Sequence, residues 1–153
     1  MKSTKINFRV TYAETDQMKV VYYSNYFIWF EKGRTEYFRN IGIPYTDLEN
    51  EGIYVPVVEA YCRYSSSARY DDLIEVYTRI RELKKATITF EYEIKRDGVL
   101  LATGHTVHAF VNNKSRPVKV PEKLTNKIID WYEHSLRRIY ISCKPQDLKE
   151  VVI

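Results

Sequence analysis

Thr11-Tyr-Ala-Glu-Thr-Asp16-Gln-Met-Lys-Val-Val21-Tyr-Tyr-Ser-Asn-Tyr26, continuing as Phe27-Ile-Trp-Phe-Glu31, is the stretch on which the reading of this chain turns. Ala13 to Val21 reads as a loop. Beyond it Ser24 or Asn25 can cap a helix, and Gly42 followed by Pro44 closes it. At about 100° per residue, Tyr26, Phe30, Gly33, Tyr37 and Ile41 fall on one face of that helix. Glycine costs a helix interior about 1 kcal/mol relative to alanine, so Gly33 in the apolar stripe implies a helix backbone packed closely on a sheet. Asp16 precedes the helix entrance at Tyr23 by seven residues. An entrance of this kind presents unpaired N–H groups and roughly half a positive charge. A carboxylate beside such donors suits acyl transfer: the donors hold a developing oxyanion while the carboxylate attacks or activates water.

Outward from the motif the chain is β-rich. Ile6, Phe8, Val10 and Tyr12 alternate with polar residues and predict a first strand with one buried face. After a loop around 45–52, four further strands are expected over 55–67, 73–83, 86–96 and 99–112. Asp97-Gly98 is a strong hairpin signal, and Lys84-Lys85 marks a tight connection. Pro121 opens a second helix with Leu124, Ile128, Ile129, Trp131 and Tyr132 in helical spacing. The segment 139–153 carries no clear pattern. One long helix and a β-rich body predict an α+β layer in a single domain over 1–153, with its core at about 6–121 and a C-terminal helix at about 121–138.

The 153 residues suffice for one core, and the net charge of +4 suits an anionic ligand without naming one. No apolar run approaches a membrane span, and Met1-Lys-Ser-Thr-Lys-Ile-Asn lacks the apolar centre of a signal peptide, so a cytoplasmic location is expected. Cys62 and Cys143 have no metal or redox spacing and read as free thiols. Acids interleave with the basic residues, and no aromatic or Gly-rich recognition motif accompanies them, which argues against nucleic-acid binding.

The motif residues resemble the signature of the 4-hydroxybenzoyl-CoA thioesterase family of hot-dog-fold acyl-CoA hydrolases, including its bacterial Tol-Pal-associated branch. That pattern runs approximately Asp-Thr-Asp-x-x-Gly-x-Val-Tyr-x-x-Asn-Tyr, followed by a Trp-Phe-Glu-like helix. The likeness covers about Phe8 to Pro121 and is strongest between residues 11 and 38. It implies a five-stranded antiparallel sheet wrapped around the long helix, and a dimer or tetramer whose sites lie between subunits. It also implies hydrolysis of an acyl-CoA thioester with no cofactor. Asp16 aligns with the family's catalytic carboxylate, and the Tyr23 backbone N–H with its oxyanion donor. Coenzyme A phosphates would meet Lys84, Lys85 and Arg116, while Ser67 and Arg69 would border the acyl group. Two positions depart from the pattern. Lys19 replaces a glycine, which costs energy if that backbone needs φ > 0. Tyr23 stands where many bacterial relatives carry histidine, which bears on acyl preference.

Other candidates read as structural. Asp71 and Asp72 point to opposite faces at a strand start and fit a turn. His105 and His108 likewise face opposite sides and cannot share a metal. Ser24 lacks a nearby histidine and a Gly-x-Ser-x-Gly elbow. The rivals to a thioesterase are a hydroxyacyl-thioester dehydratase, which would need a base such as histidine in the entrance motif, and a non-catalytic acyl-thioester binding module, which would tolerate loss of Asp16.

Overall fold

Period-2 alternation gives each long strand one buried face: Ile74, Val76, Thr78 and Ile80 of β3 (Leu73–Leu83) point inward, as do Ile88, Phe90, Tyr92 and Ile94 of β4 (Thr87–Arg96). The computed structural model of the chain describes residues 3–139. With β1 (Thr4–Arg9), β2 (Val57–Tyr64) and β5 (Val99–Ala109) these strands form one antiparallel sheet in the order β1-β3-β4-β5-β2. Helix α1 (Asn25–Asn40) lies on the buried face, and α3 (Glu122–Ile139) adds Leu124 and Ile128 to the same core.

The stripe Tyr26, Phe30, Gly33, Tyr37 and Ile41 is buried. Gly33 is there for the close approach: a Cβ at this position would stand 2.3 Å from Thr78 Oγ1. Gly104 on β5 does the same from below, where a Cβ would meet the Phe30 ring and the Tyr61 carbonyl at 2.5 Å.

Several boundaries differ from those the sequence predicts. The first strand ends at Arg9: opposite it the paired segment turns at Asp71 (φ +65°), and Tyr12–Glu14 then form a 3-10 helix. Part of the segment expected as a loop is α2 (Tyr45–Asn50), whose six residues are too few to show a period and which is anchored by buried Leu48. The second strand is shorter than 55–67 and leaves Ser65–Ser67 outside it. The last strand ends at Ala109, and Val111 makes only isolated bridges to Tyr54 and Pro117. Most of the segment 139–153, with Cys143, lies outside the described residues.

Strand β2 is a sheet edge. Among the described residues it pairs only with β5, and it exposes Val57, Val58, Tyr61 and Tyr64. On the outer face of the sheet, His105 stacks on Tyr61 and bonds Glu59 at 2.9 Å. Arg79 is paired with Glu91 at 2.7 Å beside it.

Inside, His108 is the one histidine buried among the described residues. Its Nδ1 stands 3.0 Å from the Val55 carbonyl, which can only accept, so Nδ1 carries the proton. In the neutral ring Nε2 then accepts from Thr106 Oγ1 at 2.8 Å, and Thr106 accepts from the Tyr92 hydroxyl at 2.6 Å. Burial pushes the His108 pKa from 6.5 down to about 4; the Val55 bond opposes this, and Arg34 on α1 reinforces it. A depressed histidine pKa means that the unfolded chain binds the extra proton first. Stability from this group is therefore complete above about pH 6.5 and is lost as pH falls towards 4, by roughly 3 kcal/mol. Urea unfolding of wild type and His108→Gln across pH 4–7 checks this: the variant should be less stable at pH 7 but show a shallower acid loss. Parallel pH curves would refute it.

Candidate functional site

Asp16 sits in a turn closed by three bonds. Its N–H donates to the Val20 carbonyl, its carbonyl accepts from Lys19 N–H (both 2.9 Å), and its Oδ1 accepts from Met18 N–H at 2.8 Å. Among the described residues Oδ2 has no hydrogen-bond partner. The turn drives Lys19 to φ +63°, the left-handed region that suits glycine, so the lysine does carry the expected backbone strain.

The chain then enters α1. Neither Ser24 nor Asn25 forms the expected side-chain cap. Asn25 is already helical, and its amide turns back to donate to the Glu14 carbonyl at 2.9 Å, where the Tyr22 N–H also arrives at 2.9 Å. Among the described residues the Tyr23 and Ser24 N–H groups have no acceptor. The Tyr23 carbonyl, trans to the Ser24 N–H, is held by the Tyr64 hydroxyl at 2.8 Å.

Asp16, Tyr22, Tyr23, Tyr26, Tyr64 and Ser67 line one open cleft of about 340 Å³. Asp16, with one oxygen unpartnered, and Tyr23, with its N–H unsatisfied at a helix N-terminus, thus line the same space, an arrangement able to bind and attack a carbonyl.

Glu14 is the residue that the sequence reading passed over. Its Oε2 accepts from the Thr11 N–H at 2.8 Å and the Thr11 hydroxyl at 3.1 Å, and its Oε1 accepts from the Trp29 indole at 2.9 Å. Burial pushes its pKa up, but these donors and nearby Lys32 outweigh that and the net shift is down. Thr11-x-x-Glu14 is a capping-box spacing and was the available signal. Tyr64 had no such signal, since its role depends on a strand 41 residues away.

The structure separates the other candidates. Ser67 lines the cleft, whereas Arg69 is exposed beside it with its N–H tied to Asp72. Asp72 also pairs with Arg96 at 2.7 Å, consistent with a turn anchor. Lys84 and Lys85 lie at the opposite end of the sheet, close to the segment bearing Arg116, since Val120 N–H bonds the Lys85 carbonyl. The 11 residues of β3 separate the two ends by roughly 35 Å. Among the described residues no group of three or more His, Cys, Asp or Glu side chains could hold a metal. No described helix is long and apolar enough to cross a membrane.

Residues 10–128 match the model of the thioesterase-like superfamily. The chain belongs to that family. It is 36% identical over 118 residues to the acyl-CoA thioesterase YbgC of Haemophilus influenzae, covering 76% of this chain and 87% of that one. The crystal structure of a hypothetical protein from Aquifex aeolicus superposes with a TM-score of 0.79 at 34% identity, covering 82% and 98% of the two chains. The DHNA-CoA thioesterase of Staphylococcus aureus gives a TM-score of 0.77 at 30% identity, covering 90% and 95%. The expected kinship and the hot-dog fold hold, and the chain is a thioester hydrolase.

Lys19→Gly should relieve the left-handed strain and raise unfolding stability by about 0.5–1 kcal/mol. Thermal melts of the two proteins test it, and an unchanged or lower Tm would show that the turn gains nothing from glycine.

Proposed function

We propose that the substrate is an acyl-CoA thioester and that Asp16 carries the chemistry. The observation behind this is that Asp16, whose Oδ2 is unpartnered, lines one cleft with Tyr23, whose N–H is free and adjoins that of Ser24. In one route Asp16 attacks the thioester carbonyl, the C–S bond breaks, and a mixed anhydride forms with release of the coenzyme A thiolate. Water then hydrolyses the anhydride. In the other, Asp16 takes a proton from water as the water adds to the carbonyl; the tetrahedral intermediate then collapses, the C–S bond breaks, and the departing coenzyme A thiolate takes up that proton. In both, charge develops on the carbonyl oxygen, where the Tyr23 N–H, supported by Ser24 N–H and the α1 dipole, stabilises it. No cofactor enters either route. A cytoplasmic setting fits a coenzyme A substrate and the free Cys62 thiol.

The unpaired β2 edge supports self-association into a dimer or a dimer of dimers. Antiparallel pairing of β2 with its copy would set the Asp16 end of one chain beside the Lys84–Lys85 end of the other. An extended substrate could then reach from Asp16, past Ser67 and Arg69, to Lys84, Lys85 and Arg116.

Asp16→Asn should fold normally and lose about 10²-fold or more in kcat on a good thioester, measured by free-thiol release. Turnover close to wild type would sink the assignment. Arg116→Ala and Lys84→Ala/Lys85→Ala should instead raise KM for an acyl-CoA, roughly threefold or more, with kcat little changed. The penalty should shrink at high salt, and a pantetheine thioester without the nucleotide phosphates should respond much less. Equal losses on both substrates would place these residues outside phosphate binding.

A further inference from the structure

Four residues from both sides of the loop converge on Glu14. Its carboxylate holds Thr11 at the exit of β1 and the indole of Trp29, which is fully buried on α1. Its carbonyl holds Asn25 Nδ2 in the first turn of α1 and the Tyr22 N–H next to the free amides. Asp16 is only two residues further along the same loop. The Asp16 turn is closed by its own bonds, and the bonds that Glu14 makes tie that turn to the α1 entrance that carries the Tyr23 and Ser24 amides.

We infer that Glu14 is a positioning residue, fixing the Asp16 loop against the α1 entrance so that carboxylate and oxyanion donors meet one carbonyl. The inference rests on the proposed role of Asp16. The site needs an acceptor with two oxygens here, because one faces Thr11 and the other faces the indole. Glutamine keeps the size but presents an amide nitrogen, a donor, to one of those donors. Aspartate keeps both oxygens but is one methylene shorter, so it can retain one set of contacts at the expense of the other. A slack of about 1 Å between catalytic groups can cost roughly 10²-fold in rate. The substrate is bound by other residues, so the loss belongs in kcat.

The experiment measures kcat and KM by free-thiol release from an acyl-CoA for Glu14→Gln, Glu14→Asp, Trp29→Phe, Asp16→Asn and the combined variants. Glu14→Gln should lower kcat by roughly 10- to 100-fold with KM within about twofold, while circular dichroism and oligomeric state stay as in wild type. Glu14→Asp should recover part of that loss. Trp29→Phe should give a smaller fall in kcat, and the combined variant should lose less than the sum of the two, because both loosen the same carboxylate anchor. Adding Glu14→Gln to Asp16→Asn should likewise cost little further, since Glu14 acts through Asp16. Wild-type kcat in Glu14→Gln, or full additivity with Asp16→Asn, would overturn the inference. If Glu14→Gln unfolds, the milder Trp29→Phe decides by its kcat-against-KM split. An active Asp16→Asn would instead overturn the proposed chemistry, which is a separate result.

Discussion

The height of α1 above the sheet governs the rest of the molecule. Two glycines set it, one from each side: Gly33 on the helix clears Thr78, and Gly104 on β5 clears the Phe30 ring. A methyl group at either place would overlap its neighbour by far more than side-chain relaxation absorbs cheaply. Because the helix sits this low, Phe30 stacks on Tyr92 at 4.2 Å and Tyr37 packs edge-on against Phe90. The helix entrance is held at the rim of the sheet, where the Asp16 loop and the residues after β2 can reach it. Packing at the middle of α1 and geometry at its end are parts of one constraint.

That constraint was half legible in the sequence. Gly33 breaks an apolar stripe at helical spacing and so declares close packing, whereas Gly104 lies in an alternating strand and declares nothing until the helix is placed over it. The same difference runs through the site. Asp16, Tyr23 and the helix entrance are local in sequence and were readable there. Tyr64, which holds the Tyr23 carbonyl, comes from another strand and was not. The expected caps failed for a related reason: a capping side chain is a local device, and Asn25 is engaged by a non-local partner, the Glu14 carbonyl. The α2 helix escaped notice because its single buried residue, Leu48, supplies no period.

One row of polar groups buried under α1 shows the same dependence on non-local partners. Tyr92 donates to Thr106, Thr106 to His108 and His108 to the Val55 carbonyl, so the bonds run in a single direction. Such a chain is stable only while the imidazole is neutral, since a second ring proton would face the Thr106 oxygen in place of a lone pair and reverse its hydroxyl. A buried histidine is here a structural group, and its partners make that plain where its position on a strand could not.

Glu14 and Asp16 show how surroundings divide one chemistry into two roles. Both are carboxylates, two residues apart, in a loop leading to the same helix. Glu14 is saturated by Thr11 and Trp29 and has little left to offer a substrate. Asp16 spends one oxygen on the Met18 N–H and keeps the other open to the cleft. A saturated carboxylate is rigid, and an unsaturated one is reactive, so the pair gives the proposed chemistry both a fixed frame and a free oxygen. Exchanging the two demands would fail: a reactive group at position 14 would face a buried indole, and a saturated one at position 16 would have no lone pair for a carbonyl or a water. The loop needs both carboxylates because no single one can meet both demands.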